Sequence, residues 1–285
     1  MGRLHLWIVV ELKLITSMKK VFGVLIFVLF FVFFAREVRA DYASSYQDYI
    51  NKTGTYQVSH NNYLTARANY FASGSLDSSD KAKSATLKML QDRDNVVTSY
   101  LTALQAKIKD VKGMSDTDKG SLTSQINTEI SWYNSHNNKL SSAGSLSDLV
   151  SDSDQAKEQF NGPTILVIYA SLVDLGIANN NYIRGELNGE ITTIQAKIAE
   201  IKSNQDKDVS SVERLLVDVT NKISRSQDKD SQAKDLVNSI KPANQQTNGA
   251  NSQFQSAQTD LSDSNSYLKE ANQGLLQMIT QIKTN

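Results

Sequence analysis

From Phe254 to Ile282 the stripe residues fall at Phe254, Ala257, Leu261, Ser264, Leu268, Ala271, Leu275, Met278 and Ile282, in alternating steps of three and four. That alternation averages about 3.5 residues and lays one stripe along one face of a helix, whereas a half-buried strand needs a period of two. The same spacing marks Leu187, Ile191, Ile194, Ile198 and Ile201, and again Val209, Val212, Leu216, Val219 and Ile223. It also marks Leu87, Leu90, Val97, Leu101, Leu104, Ile108 and Val111, with Asp94 as the break in the stripe. Pro163 and Pro242 are the only prolines, and no long alternating apolar–polar run competes. The expected fold is therefore all-α: an elongated antiparallel helical bundle, or a set of coiled-coil hairpins.

Turn chemistry divides the helices. Breaks are expected at Ser73–Ser79, with Asp80 capping the next helix, at Gly113–Ser121, at Gly144–Asp154 and at Ser203–Asp208, with a weaker kink at Lys241-Pro242. Asn161-Gly162-Pro163 reads as a stop followed by a helix-starting proline. Six to eight helices result, several of them longer than 25 residues.

A repeated phrase suggests how the first half was built. Ile50–Leu64 ("INKTGTYQVSHNNYL") and Ile126–Leu140 ("INTEISWYNSHNNKL") share seven of 15 positions at a shift of 76, with Tyr56 opposite Trp132 and His60 opposite His136. Gly74-Ser75-Leu76 recurs as Gly144-Ser145-Leu146, and Asp80-Lys81-Ala82-Lys83 as Asp154-Gln155-Ala156-Lys157. Phrase, turn and next helix return in the same order, as a duplicated helical hairpin would give. The organisation expected is an over-long gene start at 1–17, a signal peptide at 18–40, duplicated hairpins at 41–160, and a second helical unit at 161–285.

The N-terminal segment has the order of an export signal. Lys19-Lys20 precede the apolar run Val21–Ala35, and Val38-x-Ala40 supplies small residues for cleavage before Asp41. The expected destination is secreted, periplasmic or cell-surface; without cleavage, the same segment would tether the protein to the membrane. The chain has no cysteine, so neither disulfides nor a lipid-modified cysteine can hold or anchor it. Removing residues 1–40 takes away six basic and two acidic residues from a balance of 30 and 30, leaving 24 against 28, a net charge of about −4. A mildly acidic chain without a basic stripe does not suit nucleic acid.

Candidate binding residues cluster at one end. Tyr42, Tyr49, Tyr56, Tyr63 and Tyr70 recur every seven residues, with Tyr46 and His60 on the same face. That strip, together with Trp132 and His136, reads either as a binding surface for a glycan, peptide or cell surface, or as a seam against a neighbouring helix. The SHNN phrase reads as a polar layer fixing register, its Asn side chains pairing across helices. Two histidines 76 residues apart, with no cysteine, fall short of a metal site, and no cofactor is expected.

No Gly-x-Ser-x-Gly, His-Glu-x-x-His or phosphate-cradling glycine loop is present. The repeated Gln-Asp-Lys-Asp, containing Asp206/Asp208 and Asp228/Asp230, reads as solvated helix-end charge.

The sequence thus points to an exported, non-enzymatic binding, spacer or assembly module. Its partner would be a protein or cell-surface component, or a second copy docked through helix seams. Ile165–Ala178 ("ILVIYASLVDLGIA") carries the competing reading. It is apolar nearly all round yet too short to span a bilayer, so it is expected to be a buried central helix. In outline the chain is also similar to secreted helical pore-forming toxins, which keep an apolar element mid-chain; that likeness implies a membrane-acting protein.

Overall fold

The computed structural model describes residues 40–204, 208–240 and 249–284, and residues 40–285 form one compact unit. The described residues are all-α, with no strand among them. Seven helices follow in order: α1 (Ala40–Ser73), α2 (Leu76–Asp110), α3 (Asp116–Leu140), α4 (Leu146–Gln159), α5 (Ile165–Ser203), α6 (Ser210–Asn238) and α7 (Gly249–Thr284). A π-turn, Phe160–Thr164, joins α4 to α5. The expected N-terminal signal and the expected Lys241-Pro242 kink lie outside the described residues.

Three helices begin on a serine cap. Ser75, Ser115 and Ser145 each sit in extended backbone and accept a hydrogen bond from the amide three residues on, satisfying one of the first-turn donors. The second helix therefore starts on Ser75, four residues before the Ser79-Asp80 junction, and Asp80 lies inside it. Ser145 and Asp148 make a full capping box. Ser75 and Ser145, each in a Gly-Ser-Leu turn, thus do the same work in both places. The helices that follow differ in length: α2 runs 35 residues, α4 only 14 before the π-turn.

Asn161-Gly162-Pro163 is not a stop. The chain passes from α4 to α5 through a widened turn in which the Ile165 amide bonds the Phe160 carbonyl, and Gly162 leaves helical geometry at φ −99°, ψ −110°. Proline cannot donate to a normal helical ladder; the wider turn absorbs it as a kink, so the helical path is bent but unbroken. The boundary expected at 160/161 falls inside this run.

Around α2 the first half is antiparallel. Gln105 bonds Asn127, Asn137 bonds the Gln91 carbonyl, and Lys83 reaches the Gly144 carbonyl, so α3 runs back along α2 and the next turn docks near its start. In the second half α5, α6 and α7 run down, up and down, tied by Lys202–Glu213, Lys222–Glu270 and Lys229–Asp260. Their stripes meet in a core of Leu187, Ile191, Ile194, Ile198, Val212, Val219, Leu268, Leu275 and Met278. Every member of the Phe254–Ile282 stripe is buried or half-buried.

Two close approaches set the packing. Gly113, at φ +78°, rests on the α5 backbone: a Cβ there would come within 2.1 Å of the Ala178 carbonyl oxygen. Gly176 admits the Leu261 side chain of α7, whose Cδ1 would lie 2.7 Å from a Cβ. Ile165–Ala178 contains no exposed residue. Asp174 within it is ion-paired to Lys234 of α6, and Tyr169 stacks on Phe254 of α7 at 4.0 Å.

Candidate functional site

The residues with chemical potential lie inside the fold, in two polar layers. In the first, where α2, α3 and α4 meet, His136 is 5 % exposed and Asp94 fully buried. His136 Nδ1 lies 2.6 Å from Asp94 Oδ2, and Nε2 lies 3.0 Å from the Asp152 backbone carbonyl oxygen. The Trp132 indole stacks on the ring at 4.9 Å and 9°. Arg93 donates to the Ser153 hydroxyl at 3.0 Å, with its Nε 3.7 Å from Asp94 Oδ1. Lys139 bridges to the Asp152 carboxylate at 3.1 Å.

Beside this layer, buried Glu129 clasps the π-turn. Its Oε2 accepts from Gln159 Nε2 at 2.9 Å and from the Thr164 hydroxyl at 2.6 Å, one residue on each side of the kink. The Tyr133 hydroxyl lies 3.3 Å from the same threonine oxygen, and burial pushes its ionisation well above the ordinary tyrosine range. A carboxylate out of water needs such donors, and here they come from the ends of the bend.

The second layer crosses α5, α6 and α7. Arg184 is ion-paired with Asp230, donates to Ser226 at 2.5 Å and to Asn181 at 2.7 Å. Asn180 donates to Asp230 at 2.8 Å and to Ser264 at 3.0 Å, and the Ser226 and Ser264 hydroxyls are 2.9 Å apart. Asn180, Arg184, Ser226, Asp230 and Ser264 are all buried. Asp230 is thus no solvated helix-end charge: its place on the inner face of α6 puts it opposite Arg184. Asp208, by contrast, is exposed.

The tyrosine strip turns inward. Tyr42, Tyr49, Tyr56 and Tyr63 are buried in the hairpin between α1 and α2, and Tyr49 meets Tyr100 edge-on at 5.5 Å. Loss of solvent pushes Tyr42, Tyr49 and Tyr56 above the ordinary tyrosine range and Tyr169 up to about 12, so all four stay neutral. In this packing the strip is a seam. Tyr46, Tyr70, His60 and Trp132 are half-buried, with His60 between the Tyr56 and Tyr63 rings at 5.8 and 6.1 Å.

The two histidines therefore share a sequence phrase and a ring one turn before them, but not an environment. Nor do the SHNN asparagines pair across helices: Asn61, Asn62 and Asn138 are exposed, and Asn137 bonds a backbone carbonyl. The polar layer is built by the histidine at 136 and by Asp94.

Chemically, the Asp94–His136 pair resembles the orienting half of a nucleophile system, but Nε2 is occupied by a backbone carbonyl and the nearby Ser153 hydroxyl accepts from Arg93. Among the described residues no three His, Asp or Glu side chains converge as metal ligands. One groove of about 470 Å³ is an open furrow between α1 and α2 lined by Ser59, Asn62, Asp80, Lys81, Ser84, Ala85 and Lys88. No family model, curated protein or solved structure matches the chain.

Proposed function

We propose that this protein works outside the membrane as a non-enzymatic helical spacer or binding module, delivered there by residues 18–40 and directed at a protein or cell-surface partner. The observation that carries the reading is the fate of the ionisable core. Asp94, His136, Glu129, Arg184 and Asp230 are each committed to a neighbouring helix, and none of them lines the groove between α1 and α2 or the one beside Ser210 and Arg214. Such side chains fix which helix lies against which, as polar core residues do where register must be unique. The duplicated-hairpin origin belongs to the same reading, supported by the matching serine caps at Ser75 and Ser145.

A membrane-acting role is the second reading, because the helical run 146–203 contains a window long and apolar enough to cross a bilayer. Against it stands the cover over Ile165–Ala178 and the Asp174–Lys234 pair. Dye-loaded liposomes exposed to micromolar residues 40–285 are expected to stay sealed, and protease added to cells and medium together, once any outer membrane has been permeabilised, is expected to degrade the full chain. Dye release would overturn the spacer reading in favour of the membrane one; a chain protected behind the cytoplasmic membrane would overturn export.

A further inference from the structure

The ring of His136 faces two hydrogen-bond acceptors and no donor. A neutral imidazole carries one N–H and one lone pair, so with Asp94 ionised it can serve Asp94 Oδ2 or the Asp152 carbonyl, but not both. The backbone carbonyl has no proton to give, and Nε2 must therefore donate to it. We infer that His136 is built into the fold as an imidazolium, protonated on both nitrogens, and that its second proton is a structural element of the α2–α3–α4 junction which alkalinisation removes.

Three further observations agree. The ring stacks face to face on Trp132, an arrangement that favours a cation over the indole. From α2, Lys88 and Arg93 face Asp92 and Asp94. From α3 and α4, Lys139 faces Asp152, and Glu129 lies beside the layer. Those groups are three cations against four anions, and the imidazolium brings the junction to neutrality. The remaining titratable neighbours, Tyr133 on α3 and Tyr56 on α1, are held neutral by burial.

The sign follows from the geometry. Below the ring's titration both acceptors are served; above it, a lone pair on Nε2 confronts the Asp152 carbonyl oxygen, or one on Nδ1 confronts the Asp94 carboxylate. The junction therefore holds while Asp94 is ionised and the ring keeps its second proton, and loosens as rising pH removes that proton, which gives this part of the fold a pH response with no ligand involved.

Nitrogen NMR tests this directly on residues 40–285 labelled at histidine, a unit that is compact by itself. Near neutral pH, His136 is expected to show two protonated ring nitrogens with slowly exchanging N–H signals. A single protonated nitrogen, with the other of pyridine type, overturns the inference without any mutant. The second readout is Trp132, the only tryptophan of 40–285. Its fluorescence should change in step with loss of the His136 N–H signal on raising the pH, and the melting temperature should fall by roughly 4 °C or more as an acceptor is orphaned. A junction that keeps its fluorescence and melting temperature through that titration shows the proton to be dispensable. The substitution Asp94→Asn should return the ring to one proton at neutral pH; if both protons persist in that variant, the role given to the carboxylate is overturned.

Discussion

Two glycines with the same backbone strain and opposite surroundings allow the joint between the halves of the fold to be measured. Gly74 (φ +60°) and Gly113 (φ +78°) both occupy the left-handed region, where an added Cβ costs roughly 1–2 kcal/mol. Around Gly74 no atom lies within 4 Å of such a Cβ. Gly74→Ala should therefore cost only that strain, reduced by the roughly 0.4–1 kcal/mol that alanine gains by restricting the unfolded chain, for a net loss of about 1 kcal/mol. At Gly113 the new methyl would lie 2.1 Å from the Ala178 carbonyl oxygen and 2.7 Å from the Tyr182 amide nitrogen.

Both of those atoms are helix backbone and cannot rotate aside. Relief requires lifting the 111–115 turn off α5, which adds an overpacking cost of roughly 1–3 kcal/mol and loses the 3.3 Å bond from Asn181 to the Gly113 carbonyl, worth about 1 kcal/mol. Gly113→Ala should then cost about 3–5 kcal/mol, a large share of the roughly 5–15 kcal/mol that holds a domain folded. Urea unfolding of residues 40–285, followed by far-UV circular dichroism, reads both variants against the parent, and the melting temperature should drop by roughly 2–4 °C per kcal/mol. If Gly113→Ala proves no worse than Gly74→Ala, the turn does not bear on α5 as described.

Two more outcomes are expected from the same unfolding measurement and its pH profile. Asp230→Ala strands Arg184 in the interior and should cost roughly 3–5 kcal/mol, whereas replacing Arg184 and Asp230 together by Met and Leu should restore most of that; equal losses in the two proteins would mean the pair is not electrostatically coupled. The Asp148 carboxyl is held below the usual carboxylate range by the Ser145 hydroxyl and backbone amide, so its contribution is present above the unfolded-state value and is lost as pH falls through the depressed folded one. Ser145→Ala should lower stability at neutral pH and flatten that acid limb, and an acid limb unchanged by the substitution would refute the assignment.

Much of the fold is legible in the sequence because helical burial has a period. The Phe254–Ile282 stripe needs no tertiary information, since a stripe of that length can be hidden only by packing one face. The exceptions within the stripes are equally informative. Asp94 interrupts an apolar run, Ser264 takes a core position, and Asp174 sits in the most apolar stretch; each holds a partner on another helix, His136, Ser226 with Asn180, and Lys234 in turn. What the sequence does not disclose is the pairing itself, because a lone buried polar residue names neither its partner nor the helix that carries it. Asp230 departs from its expected solvated role for that reason: in Gln-Asp-Lys-Asp its neighbours are polar, and only rotation about α6 separates the inward Asp230 from the exposed Asp228. Asn161-Gly162-Pro163 departs differently, since a proline signals a broken ladder but not whether a wider turn, steadied by Glu129, will carry the helix on.

The α1 helix packs almost wholly on α2, with Tyr42, Tyr49, Tyr56 and Tyr63 along the shared face. An outer helix with one main neighbour has one main interface to break, so local opening of α1 could leave α2 to α7 assembled. Its departure would uncover a ladder of four phenol rings at seven-residue intervals, with the matching apolar face of α2 beside it. Buried seam and uncovered ladder would then be two populations of one hairpin, exchanging by the opening of α1 alone.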